Sequence, residues 1–288
     1  MKNVLVVSNY NAGRKQAIIH KKILHKFLLQ RCQKFKFINI DELVSIDITE
    51  YDTVFAMGGD GTVSKVVKTL IEKNAADKTV AIIPCGTANL LAAKLGLSLN
   101  LKKTLEMFDK NHIKTVDVME INGLYSVLRC GLGYDAEIIG KTPQSLKNRF
   151  GYFAYFIAGF IFAFRLKPKQ YSITYDDKNL ETEAVCLIIA NAANMYRNFI
   201  SVGNNSETDD GKFDVFVLKA RNPVTFFLEF LKIIFGFRVN SSLAEYFRAS
   251  SMQIKNNWLL CHIDGEKSKL KNDINIKILP NRIRMYSK

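Results

Sequence analysis

The early part of the chain alternates short, uniformly apolar runs with longer stretches whose apolar residues recur every three or four positions. Apolar runs at 4–7, 51–57 and 79–84 are each followed by a polar turn and then by residues at helical spacing. Runs of that length read as buried strands, and the stretches after them as helices over 16–30, 63–72 and 90–97. The middle helix is the clearest, with Val63, Val66, Val67, Leu70 and Ile71 on one face. Strands alternating with helices predict an α/β domain. After about residue 124 the pattern changes. Runs at 125–130, 171–175, 184–190, 213–218, 251–254, 259–263 and 274–279, punctuated by Gly, Asn and Asp, predict a β-rich second domain, and a last strand is read at 282–286. The boundary is read between 122 and 123, with the second domain at 123–281.

The turns between strand and helix carry the chemistry. The first strand leads into Ser8-Asn9 and a helix with Arg14 and Lys15 in its first turn, where cations oppose the helix dipole unless a polyanion lies near. The second leads into Gly58-Gly59-Asp60-Gly61-Thr62, and the third into Cys85-Gly86-Thr87-Ala88-Asn89. Glycines let backbone N–H groups approach a phosphate, and the following helix N-terminus adds partial positive charge. Asp60 would repel phosphate unless a cation intervenes, which suggests metal chemistry. A helix cap at Asp60 or Thr62 is the plainer explanation of the turn. Three polar turns at the carboxyl ends of strands stand where open α/β sheets bind ligands.

Several classes are excluded. The P-loop pattern and the protein-kinase set of glycine loop, His-Arg-Asp and Asp-Phe-Gly are absent. Gly131-Leu132-Gly133-Tyr134-Asp135-Ala136 mimics a dinucleotide fingerprint but lacks the acidic residue that should follow on a second strand. Asp264-Gly265 is on its own a hairpin turn signal.

In this order, Gly58 to Thr62, Pro84 to Asn89 and Asp264-Gly265-Glu266 resemble the diacylglycerol kinase catalytic-domain family, in particular its soluble bacterial lipid kinases, and more distantly the sphingosine kinases. Asn9 to Arg14 is similar to the family's N-terminal element, with Tyr10 in place of proline. Asp209 to Asp214 resembles its metal loop. Leu90 stands where many members carry Asp, and Val127-Leu128-Arg129 where an Asn is usual. The resemblance implies an ATP-dependent, Mg²⁺-requiring lipid kinase with an α/β nucleotide-binding domain related to NAD kinases and phosphofructokinases. It implies a β-sandwich second domain, with the strand at about 282–288 returning to the first. Asn9, Gly58, Gly59, Gly61, Thr62, Gly86, Thr87 and Asn89 would contact nucleotide. Asp60 and Asp117 would belong to the Mg²⁺ network. Asp264 would be the general base with Glu266 beside it, and Asp210, with backbone oxygens near Glu207 and Lys212, would hold a structural cation. Diacylglycerol is the expected acceptor. The alternatives are a sphingoid base, a polyprenol or NAD as acceptor, or a nucleotide- or lipid-binding regulator without turnover.

Composition narrows the setting. The chain has 288 residues, 48% of them hydrophobic, with no repeat or low-complexity run. Five cysteines form no C-x-x-C pair, and reduced thiols in a cytosolic protein are expected. No zinc site and no signal peptide are read. An uncharged run at 150–164, flanked by Lys and Arg, is short of the ~20 residues needed to span a bilayer. It and the amphipathic stretch 226–237 read as helices packed on the β-rich domain or as the greasy lip of a lipid site. The formal charge of +14, with basic residues spread along the chain, fits a membrane surface, a nucleotide or nucleic acid equally, and no nucleic-acid motif is present. We expect a lipid substrate at the inner face of the membrane, no nucleic acid and no protein partner, a homodimer being compatible.

Overall fold

The computed structural model describes residues 2–9, 14–134, 136, 168–191, 207–219, 222, 224–226, 228–229, 242–255, 260–270 and 273–288. The readings placed on 10–13 and 150–164, and most of 226–237, lie outside them. The chain divides into two compact units, Met1–Asp117 with Asn281–Lys288, and Val118–Pro280.

The first unit runs β1 (Asn3–Ser8), α1 (Arg14–Arg31), β2 (Lys34–Asn39), β3 (Thr53–Gly58), α2 (Asp60–Glu72), β4 (Thr79–Pro84), α3 (Leu90–Lys94), α4 (Leu101–Asp109) and the start of β5 (Ile113–Ile121). Its parallel strands lie in the order β2-β1-β3-β4. β3 and β4 are buried at every position, as uniform apolar runs require. The helix read over 90–97 is shorter than expected. Gly96 adopts φ +72°, and the N–H groups of Gly96 and Leu97 bond back to Ala93 and Ala92. That pattern closes a helix, and it leaves room for α4, which the apolar spacing had not signalled.

The second unit contains β6 (Leu124–Ser126), β7 (Arg129–Gly133), β8 (Lys169–Tyr175), β9 (Lys178–Ala184), β10 (Cys186–Ala190), β11 (Phe213–Leu218), β12 (Ala244–Ala249), β13 (Ser251–Lys255), β14 (Leu260–Ile263), β15 (Glu266–Lys269) and the first part, to Pro280, of β16 (Asp273–Tyr286). One sheet orders β12-β11-β10-β7-β14-β15, and the other β16-β13-β8-β9. Alternate residues from both, among them Leu132, Leu187, Ile189, Val215 and Val217 facing Ile173, Ile254, Ile274 and Ile276, form one buried core. This is a β-sandwich.

Three boundaries differ from the sequence reading. Asn122-Gly123, where the domain division was read, is a hairpin turn with φ +47° and +82° joining β5 to β6, as Asn-Gly prefers. The run 125–130 breaks at Val127-Leu128, whose N–H groups bond a carboxylate instead of a neighbouring strand. The runs 274–279 and 282–286 are one strand, β16, in spite of Pro280. Its residues 284–285 pair with β4 and its residues 273–277 with β13.

Among the described residues of the sandwich, the buried hydroxyls of Tyr171 and Thr182 are uncompensated. Tyr171 is fully buried, and its hydroxyl has no hydrogen-bond partner among the described residues. It crowds Gly133, where an added Cβ would lie 2.8 Å from it. Tyr171→Phe is expected to raise unfolding stability by about 1 kcal/mol, seen as a higher midpoint in urea. A lower midpoint would reveal a buried water or another partner.

Candidate functional site

β3 ends on Gly58 and α2 begins at Asp60, with Gly59 as its N-cap. β4 runs parallel to β3, with Gly58 opposite Pro84, and this register sets the two glycine turns side by side. The Cys85 N–H bonds the Gly58 carbonyl at 2.9 Å. A Cβ on Gly86 would lie 2.4 Å from the Gly59 Cα, and one on Gly59 would lie 3.1 Å from the Gly86 Cα. The turns therefore pack backbone against backbone, with no room for a side chain on either. Gly58 is closed by Thr62, whose Oγ1 would be 2.2 Å from an added Cβ. Gly61 faces open space. Thr62 is buried, while Thr87 is exposed. Asn9 closes β1 with its N–H toward the Met57 carbonyl at 3.4 Å.

Asn89, expected to contact nucleotide, is engaged within its own turn. It is buried at φ +49°, accepts the Gly86 N–H at 3.0 Å and donates to the Gly86 carbonyl at 2.7 Å. It holds the second glycine turn in shape. Beneath that turn His20 Nδ1 lies 3.2 Å from the Cys85 sulfur. Burial lowers the His20 pKa and pushes the Cys85 thiol up to about 11, so both are neutral at pH 7.

Asp60 sits half-exposed in the first turn of α2, and its Oδ1 also takes the Leu91 N–H of α3 at 3.4 Å. One carboxylate thus stands at two helix N-termini. Asp117 is fully buried, and its Oδ1 accepts the Asn281 N–H at 2.7 Å. Asn281 is in the left-handed region (φ +52°), just after Pro280 in β16. Asp117, expected in the Mg²⁺ network, thus bonds the backbone of that strand just after Pro280.

In the second unit, Asp264 (φ +49°) and Gly265 (φ +87°) form the two-residue turn between β14 and β15, with Ile263 opposite Glu266. The Asp264 carboxylate accepts four hydrogen bonds. They come from Ser126 Oγ (2.6 Å), Leu128 N–H (3.0 Å) and Arg129 N–H (2.9 Å) on Oδ1, and from Val127 N–H (3.1 Å) on Oδ2. Buried His262 accepts the Gly265 N–H at 3.3 Å, and buried Asn191 donates its N–H to the Leu128 carbonyl at 2.8 Å. The sequence reading missed Ser126, Asn191 and His262, because no local pattern ties them to a turn so far along the chain. Glu266 is exposed on the first position of β15.

The loop expected to hold a structural cation is organised otherwise. Glu207 and Lys212 donate N–H groups to Asp210, at 2.8 and 3.1 Å, and the Arg248 guanidinium bonds the same carboxylate. A carboxylate already bonded by two N–H groups and a guanidinium is a poor fit for a metal ion. Among the described residues no three or more His, Cys, Asp or Glu side chains gather as a metal site.

With this geometry established, the chain can be set beside known proteins. A model of the diacylglycerol kinase catalytic domain matches residues 3–121, and one of the YegS C-terminal NAD kinase beta sandwich-like domain matches residues 129–287. A diacylglycerol kinase of Bacillus subtilis (strain 168) is 26% identical over 282 residues, 92% of this chain and 90% of that protein. A diacylglycerol kinase of Staphylococcus saprophyticus is 30% identical over 172 residues, 60% of this chain. That match spans 56% of the staphylococcal protein, a little over half its length. A crystal structure from Bacillus anthracis strain Sterne, described as a candidate diacylglycerol kinase, superposes with a TM-score of 0.82 at 25% identity, covering 100% of this chain and 95% of that one. Matched over its α/β unit and its sandwich alike, the chain belongs to the diacylglycerol kinase catalytic-domain family of lipid kinases.

Proposed function

We propose that the protein transfers the γ-phosphate of ATP to the hydroxyl of a lipid, diacylglycerol giving phosphatidic acid. The observation that carries this reading is the pair of glycine turns packed Cα to Cα, with the Asp60 carboxylate at the N-termini of α2 and α3. Backbone donors and helix ends of this kind suit a polyphosphate. A half-exposed carboxylate among them fits Mg²⁺, which binds through one or two carboxylates plus substrate phosphates. Asp60 would hold that ion, which when bound neutralises phosphate charge. The buried Asp117 supports the neighbouring strand. Gly61 leaves the backbone open to the triphosphate, Gly59 and Gly86 let the two turns pack together, and Asn89 fixes the turn that carries Gly86. Asp264 accepts the proton of the acceptor hydroxyl as its oxygen bonds to the γ-phosphorus and the bond to ADP breaks. Oδ2, which takes the longest of the four hydrogen bonds, is the oxygen assigned to that proton. Glu266 stands beside it at the hairpin.

A charged lipid surface agrees with the distribution of basic residues. The first forty residues carry nine Lys and Arg and no Asp or Glu, the first acid being Asp41. Lys22, Lys26 and Lys36 are exposed there. No helix among the described residues is long and apolar enough to cross a membrane, and association would be peripheral.

The test is transfer from γ-labelled ATP with Mg²⁺ to diacylglycerol, ceramide, sphingosine and undecaprenol offered separately. Labelled phosphatidic acid is expected. Asp60→Asn should lower the rate about a thousandfold with an unchanged melting temperature. No labelled lipid from any acceptor would reject the reading. Retention in the supernatant with anionic vesicles would favour a soluble acceptor instead.

A further inference from the structure

The segment Asp210-Gly211-Lys212-Phe213-Asp214 has the composition of a cation-binding loop, and an arginine lies across it. Arg248 stands on β12 directly opposite Asp214 on β11. Its Nη2 bonds Asp210 Oδ2, and its Nε lies 3.4 Å from Asp214 Oδ1, an ion-pair distance without hydrogen-bond geometry. Asp214 is fully buried and also accepts the Tyr246 hydroxyl at 2.6 Å. A buried carboxylate needs such partners, since an unpaired charge there would be strongly destabilising.

We propose that the Arg248 guanidinium is the resident cation of this loop, so that the protein holds 207–214 in place without a structural metal ion. Three features of the site argue for it. The guanidinium touches both carboxylates that a metal would need to share. Each Asp210 oxygen already accepts a backbone N–H, from Glu207 on Oδ2 and Lys212 on Oδ1, and Arg248 takes a second bond on Oδ2. A divalent ion brought within a few ångströms of Arg248 would also meet like charge in a site of reduced dielectric. Burial works against the charged guanidinium, yet Asp210 and Asp214 outweigh it and its pKa is raised. The Tyr246 phenol is likewise held protonated, first by burial and then by Asp214. Arginine suits the place better than lysine because its planar fork can meet two carboxylates at once. Resting on the proposed kinase reading, one consequence follows: Mg²⁺ enters only with the nucleotide.

The decisive experiment melts the nucleotide-free, full-length protein in excess EDTA and in excess Mg²⁺. Wild type and Asp60→Asn are expected to melt at the same temperature in both. Arg248→Met should melt several degrees lower, and Arg248→Lys should fall between it and wild type. The proposal is overturned if wild type and Asp60→Asn melt lower in EDTA and recover with Mg²⁺, with that response lost in Asp210→Asn. An Arg248→Met protein as stable as wild type would overturn it too. Should that variant fail to fold, the metal content of dialysed wild type decides, and a stoichiometric bound metal rejects the proposal. None of these readings requires turnover, so they stand apart from success or failure of the lipid assay. Where turnover is found, rate curves against Mg·ATP should superimpose at every level of free Mg²⁺.

Discussion

Asp264→Asn is expected to reduce lipid phosphorylation about a thousandfold while the protein stays folded, and Asp264→Ala to do the same and also lower stability by about 3 kcal/mol. The difference separates two tasks of one side chain. As a structural acceptor, Asp264 collects Ser126 Oγ and the N–H groups of Val127, Leu128 and Arg129. Removing the carboxylate leaves these donors without their acceptor, and an orphaned donor in a half-buried loop costs more than an average hydrogen bond contributes. Asparagine keeps an oxygen for the three donors on Oδ1 but sets an N–H₂ group against the Val127 N–H, so its cost in stability is smaller. It cannot take a proton from an alcohol. Initial rates together with urea midpoints for the two variants give the partition. If Asp264→Asn turns over like wild type, Asp264 is a tie for the loop and the proton leaves by another route.

Gly86→Ala should be nearly as damaging, through geometry instead of charge. Its Cβ would meet the Gly59 Cα at 2.4 Å and Asn89 Oδ1 at 3.0 Å. The first neighbour is backbone at the head of a helix and has no rotamer through which to yield. Overpacking of this kind costs about 1–3 kcal/mol. Here it would also spread the turns, and ATP affinity should fall at least tenfold. Gly61→Ala is the internal contrast. Nothing lies within 4 Å of its added Cβ, and alanine inside a helix is favoured over glycine by roughly 0.5–1 kcal/mol. Melting curves should therefore move in opposite directions for the two variants. Any loss of nucleotide affinity in Gly61→Ala would then report the approach of a phosphate, since the fold has no use for that glycine.

What could be read in advance divides by range. The strands at 51–57 and 79–84, the helix between them and the glycine turns after each were legible because each is specified within a few residues by apolar period and turn chemistry. The sandwich was legible as a class from the short strands after 124. Long-range ties were not. Val127-Leu128 breaks a strand because of a carboxylate far along the chain, and β16 runs through Pro280 because Asp117 meets the next N–H. Asn89 reads as a ligand residue, and nothing in the sequence shows that its amide folds onto Gly86. The loop at 210–214 was readable as acidic, yet nothing near it announced an arginine from β12. In each case the residue type was informative and its partner was not.

The tie between Ser126 and Asp264 spans 138 positions of sequence. On a ribosome adding about 5–20 residues each second, the 126–129 loop would wait roughly 7–28 s before its carboxylate is made. Until then three backbone N–H groups and a hydroxyl have only water to bond. A truncated or stalled chain can complete both glycine turns and still lack the only group proposed here to take a proton. Nucleotide affinity and phosphoryl transfer should therefore appear at different times during synthesis, the second only after Asp264 has been made.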